Sequence, residues 1–139
     1  MKKTYEIIDH TADVGIKAYG KNLAQAYEHA AKAMFDIITD NSEVESVGQY
    51  DIVLDAPDLE QLLVDWLSKL LFLNSAQNLV FGFFKVELDP EKNHLSAHVC
   101  GEKFNQAKHK IGTEIKAVTY HMLEVKNTKP YSVQVLLDI

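Results

Sequence analysis

At 139 residues, with 47 % apolar and 24 % charged side chains, the chain has the size and make-up of one globular domain with one core. A net charge of −6 and a pI near 5.4 offer no broad basic surface, so direct high-affinity nucleic-acid binding is not expected. No apolar run is long enough to span a bilayer, Met1-Lys2-Lys3 leads into a strand pattern rather than a signal core, and the lone Cys100 excludes an internal disulfide or a thiolate zinc cluster. The expectation is a soluble cytoplasmic protein, with Cys100 a small buried hydrophobe on the strand face it shares with His98.

Thr4 to Ile8 is rich in β-branched and aromatic residues and predicts a strand. Asp9-His10-Thr11-Ala12-Asp13 follows, a dense polar stretch that suits either a turn or a chemical site. Val14 to Tyr19 alternates with period two and closes at Gly20. Asn22 is the expected N-cap of a helix to about Ile38, with Leu23, Ala26, Tyr27, Ala30, Ala31, Met34 and Phe35 along one stripe. Val47 to Leu54 predicts a strand with Tyr50, Ile52 and Leu54 on one face. Asp58 is the expected cap of a second, leucine-rich helix around Trp66 that ends near Asn74-Ser75.

Phe81 to Leu88 and Leu95 to Cys100 read as a hairpin around Asp89-Pro90-Glu91-Lys92-Asn93-His94. Gly101 to Gly112 is polar and aperiodic, whereas Glu114 to Val125 alternates as one long strand. A turn at Asn127-Thr128-Lys129-Pro130 leads to a last strand over Ser132 to Asp138, expected to pair with the strand before it. With no repeat and no linker, this order predicts a single α+β domain over 1–139, two helices packed on one face of a mostly antiparallel β-sheet.

The chain lacks a Gly-rich phosphate loop, HExxH, GxSxG and an EF-hand pattern. Its six histidines, at 10, 29, 94, 98, 109 and 121, have no zinc-site spacing, and His29 and His94 read as solvated surface groups. Charge gathers instead at three strand ends: Asp9 to Asp13; Gly101-Glu102 with His109 and then Glu114-Ile115-Lys116; and Asp138-Ile139. Asp13, Asp138 and the Ile139 carboxylate are hard oxygen donors suited to Mg²⁺ or Ca²⁺, with Lys116 able to answer part of their charge. The bland alternative is that Asp138 only solubilises a fraying terminus.

Asp9-His10-Thr11-Ala12-Asp13-Val14-Gly15, Gly101-Glu102, His109, the run Glu114-Ile115-Lys116-Ala117-Val118-Thr119-Tyr120-His121 and the ending Asp138-Ile139 together resemble the archease family, over the whole chain. That resemblance implies a non-catalytic accessory protein of the RtcB-type RNA ligase, which joins tRNA halves and repairs broken RNA. It implies acceleration of the ligase's metal-dependent guanylylation and rescue of stalled enzyme. By matching motif it assigns divalent-cation binding to Asp13 and Asp138, with the Ile139 carboxylate an added ligand, and ligase activation to Asp13, Lys116 and Asp138. His10, Glu102 and His109 lie in the matching motifs without an assigned role. Two further readings stay open: a chaperone or modulator of another RNA-modifying enzyme such as a tRNA methyltransferase, and a small metal-dependent hydrolase using Asp13, His10 and Asp138. Oligomeric state is not legible in the sequence.

Overall fold

The computed structural model describes residues 4–9, 12–39 and 43–139, so His10 and Thr11 of the acidic stretch lie outside the described residues. β1 (Tyr5–Asp9) and β2 (Asp13–Gly20) form an antiparallel pair in the register Tyr5↔Ala18 to Asp9↔Val14. The alternation of β2 turns Val14, Ile16 and Ala18 into the core and leaves Asp13, Lys17 and Tyr19 on the outer face. At Gly20 an added Cβ would lie 2.5 Å from the Ala26 amide nitrogen, so only glycine lets the strand end abut the next helix.

That helix, α1 (Leu23–Thr39), starts where Asn22 Oδ1 accepts the Gln25 amide at 2.8 Å, while Gln25 Oε1 accepts the Lys21 amide at 2.7 Å. Its last carbonyls are met by a distant segment: the amides of Gly112 and Thr113 donate to Ile38 and Ile37, each at 2.9 Å. α2 (Leu59–Gln77) is capped by Asp58, whose Oδ1 accepts the Gln61 amide at 2.7 Å. It runs past Asn74-Ser75 because those side chains find backbone acceptors, Leu79 and Phe72, without interrupting the helix. Asn78, left-handed at φ 58°, ends it.

β3 (Gly48–Asp55), β4 (Leu79–Asp89) and β5 (His94–Lys103) build a three-stranded sheet in the order β3-β5-β4. β4 and β5 are the expected hairpin, irregular only between Phe81 and Phe83. β8 (Tyr131–Asp138) is central in a five-stranded sheet, paired on one side with β2 and on the other with β6 (Ala117–Val118) and β7 (Glu124–Lys126). Every described ladder is antiparallel.

The α+β class with two helices holds, but the strands divide into two sheets instead of one. The long strand expected from Glu114 to Val125 also breaks in two, because the ladder stops at Thr119. The Thr119 hydroxyl donates to the Leu136 carbonyl at 2.8 Å and accepts the His121 amide at 3.3 Å, and Met122 turns left-handed at φ 56°. β7 then rejoins the same edge of β8, so the expected pairing of the last two strands is kept.

α1 packs on β2 of the larger sheet and β4 of the smaller, which explains why Ala33, off the main stripe, is buried as well. Phe35 meets Phe81 edge-on with centroids 5.4 Å apart and Phe84 at 5.9 Å. Trp66 of α2 is fully buried and donates its indole N–H to the Tyr27 carbonyl at 3.0 Å. The buried Tyr27 hydroxyl donates in turn to the Leu59 carbonyl at 2.6 Å. One continuous core therefore spans both sheets and both helices. Cys100, expected to be buried, is only half-buried, since its side of β5 is the outer face.

Candidate functional site

Asp13 opens β2 and Asp138 closes β8, and the antiparallel register sets them directly opposite one another. Opposed residues share a sheet face with Cβ atoms about 4.5–5.5 Å apart. Both are half-buried, on the face away from the helices, because Val14 and Leu137 beside them point into the core. Ala117 of β6 pairs with Asp138 from the other side. The Lys116 amide donates to the Asp138 carbonyl at 2.7 Å, which anchors the chain at an exposed lysine. Ile139 donates its amide to the Ala12 carbonyl at 3.4 Å. Residues far apart in the chain, Asp13, Lys116, Asp138 and Ile139, thus meet at one end of the larger sheet.

Two like charges facing each other across a ladder are unfavourable unless something positive lies between or beside them. Among the described residues no group of three His, Cys, Asp or Glu side chains converges on a point. The donor set present is a carboxylate pair beside the chain end, all hard oxygens, which suits a divalent cation that keeps part of its water shell.

Glu102 and His109 build a different structure. Glu102 Oε2 accepts the Glu45 amide at 2.7 Å, the Lys108 ammonium at 2.7 Å and His109 Nε2 at 3.0 Å. Lys108 also reaches Glu45 Oε1 at 2.8 Å. His109 is enclosed, and its Nδ1 accepts the Asn105 amide at 3.0 Å, so the ring proton belongs on Nε2, which donates to Glu102. The backbone amide of Glu45 and then the ammonium of Lys108 pull the Glu102 carboxyl down to about 2. This cluster latches the segment after β5 to the start of the β3 approach. Glu45 and Lys108 were not singled out from sequence. Lys108 adjoins His109 of the matching motif, but Glu45 lies in a stretch with no pattern that points to it.

Three further histidines, His29, His94 and His98, each meet an oxygen acceptor. His29, expected in solvent, is half-buried and donates from Nδ1 to the Tyr19 carbonyl at 2.5 Å. His94 begins β5 rather than sitting in the turn, and pairs with Asp55 at 2.7 Å. His98 pairs likewise with Asp51 at 2.6 Å, on the solvent face of the smaller sheet.

Comparison with known proteins places this arrangement in a family. The family model described as "Archease protein family" matches residues 5–139. A curated relative from Methanosarcina barkeri, named protein archease, is 43 % identical over 99 % of this chain and 97 % of its own. One of the same name from Sulfolobus acidocaldarius is 43 % identical over 97 % and 98 %. A solution structure of a Methanobacterium thermoautotrophicum protein superposes with a TM-score of 0.82 at 36 % identity, covering 98 % of this chain and 99 % of that one. With sequence likeness and fold agreeing over nearly the full length, the chain belongs to the archease family.

Proposed function

We propose that this protein is a non-catalytic activator of an RtcB-type RNA ligase, acting through a divalent cation held at the Asp13–Asp138 end of the larger sheet. Family membership supports a modulator of RNA-processing enzymes; the ligase and its guanylylation step are the finer reading. The observation that carries it is the Asp13↔Asp138 pairing across β2 and β8. Asp13, Asp138 and the Ile139 carboxylate would hold Mg²⁺ or Ca²⁺, and the cation would supply concentrated positive charge at a partner's nucleotide-handling site. The antiparallel register sets the two aspartates opposite one another on one sheet face, which supports this reading. Lys116, anchored through its own amide, presents an ammonium at the same end. An acidic chain of net charge −6 suits action on an enzyme better than a grip on RNA.

The test pairs a binding readout with an activity readout. At cation concentrations about a hundredfold above the dissociation constant, the wild type should gain about 2.7 kcal/mol of unfolding free energy, and Asp13→Ala should gain almost none. Purified ligase guanylylation should rise with the wild type and not with Asp13→Ala or Asp138→Ala. Equal stimulation by the variants would overturn the site, and hydrolytic turnover by the purified protein alone would overturn the non-catalytic reading.

A further inference from the structure

At the opposite end of the same β2–β8 ladder, where Gly20 pairs with Tyr131, lies a cavity of about 1050 Å³. Seven residue steps of strand separate it from Asp13, about 23 Å at the usual rise, so it is independent of the carboxylate pair. It is lined by Tyr19, Pro130 and Tyr131, the last packing from the core side of the sheet, and its charged lining residues are Lys21 and Lys129, with His29 beside them. No Asp or Glu is among the described residues that line it, in a chain with 20 acidic against 14 basic residues. On its flank Glu6 accepts the Tyr19 hydroxyl at 2.8 Å and the Lys17 ammonium lies 5.9 Å from the Tyr19 ring centre, two opposite charges that offset each other. The His29 bond to the Tyr19 carbonyl ties α1 to the end of β2 and keeps the cavity wall in place.

The Tyr131 ring favours a flat guest, and two lysines favour an anion. Two lysines are too few for the track that a polynucleotide backbone needs. We infer that this cavity binds a small molecule that couples a planar ring to a negatively charged group, of about the size of a mononucleotide. The charge comes from a phosphate or a carboxylate, which share the same pairing with Lys21 and Lys129.

Amide NMR spectra of the full chain titrated with adenosine monophosphate and, separately, with indole-3-acetate test this. At least one of the two should shift Lys21, Gln25 and Tyr131 at concentrations up to about 1 mM; tighter binding by the first names a phosphate, by the second a carboxylate. Adenosine, which lacks the charge, and inorganic phosphate, which lacks the ring, should bind at least about tenfold more weakly. Lys21→Ala combined with Lys129→Ala should weaken binding about tenfold. Both lysines are exposed, so the spectrum elsewhere reports a retained fold. Asp13→Ala should bind as the wild type does. No shift from either probe, equal binding of phosphate alone, tighter binding of a short single-stranded RNA, or shifts centred on Lys116 would each overturn the inference.

Discussion

Asp13 and Asp138 illustrate how little a residue's own neighbourhood reveals. An aspartate in Asp-His-Thr-Ala-Asp serves a turn as readily as a site, and an aspartate next to a chain end serves solubility. Their opposition across β2 and β8 turns two ordinary residues into a carboxylate pair. Glu102 is the converse case, a motif residue whose acceptor atom is already filled by Glu45, Lys108 and His109. Held near 2 against an ordinary 4.5, it is ionised more readily in the folded than in the unfolded chain. Its contribution is therefore complete above the unfolded value and is lost as pH falls from 4.5 toward about 2. Hydrogen exchange at the Lys108 and His109 amides should quicken relative to β2 over that window. Glu102→Gln should show quick exchange already at neutral pH and remove the dependence.

Single elements were legible where local chemistry is decisive. Asn22 and Asp58 cap α1 and α2 as their side chains dictate, and the apolar stripe of α1 is buried as its spacing requires. Asp58→Ala should destabilise the protein by about 1 kcal/mol, read as a lower urea midpoint with an unchanged slope. The alternation from Glu114 to Val125 was true as a pattern and misleading as an element. Period two describes which way side chains point, not whether the backbone stays paired. The Thr119 hydroxyl bonds and the left-handed Met122 interrupt that pairing. At Gly112 the local sequence is equally silent: an added Cβ would lie 2.1 Å from the Ile37 carbonyl of α1, so Gly112→Ala should cost about 1–3 kcal/mol by the same measurement.

Across the whole molecule, α1 is shared between two sheets, so the core should unfold as one unit. Phe35 sits at that junction, 2 % exposed and against both Phe81 and Phe84. Phe35→Ala should cost about 3–5 kcal/mol, a large part of a domain's usual stability. Tryptophan fluorescence of Trp66 and far-ultraviolet dichroism should nonetheless give coincident urea transitions, and separate midpoints would show that the sheets unfold independently. The sequence by itself determined the two helices with their caps, most strand faces, the α+β class and the residue types available for chemistry, because these follow from periodicity and local hydrogen bonding. Only the tertiary structure decided that there are two sheets, that β8 lies at the centre of the larger one, and that Asp13 faces Asp138. The β2–β8 pairing joins segments more than a hundred residues apart, and alternation within one strand carries no record of its neighbour.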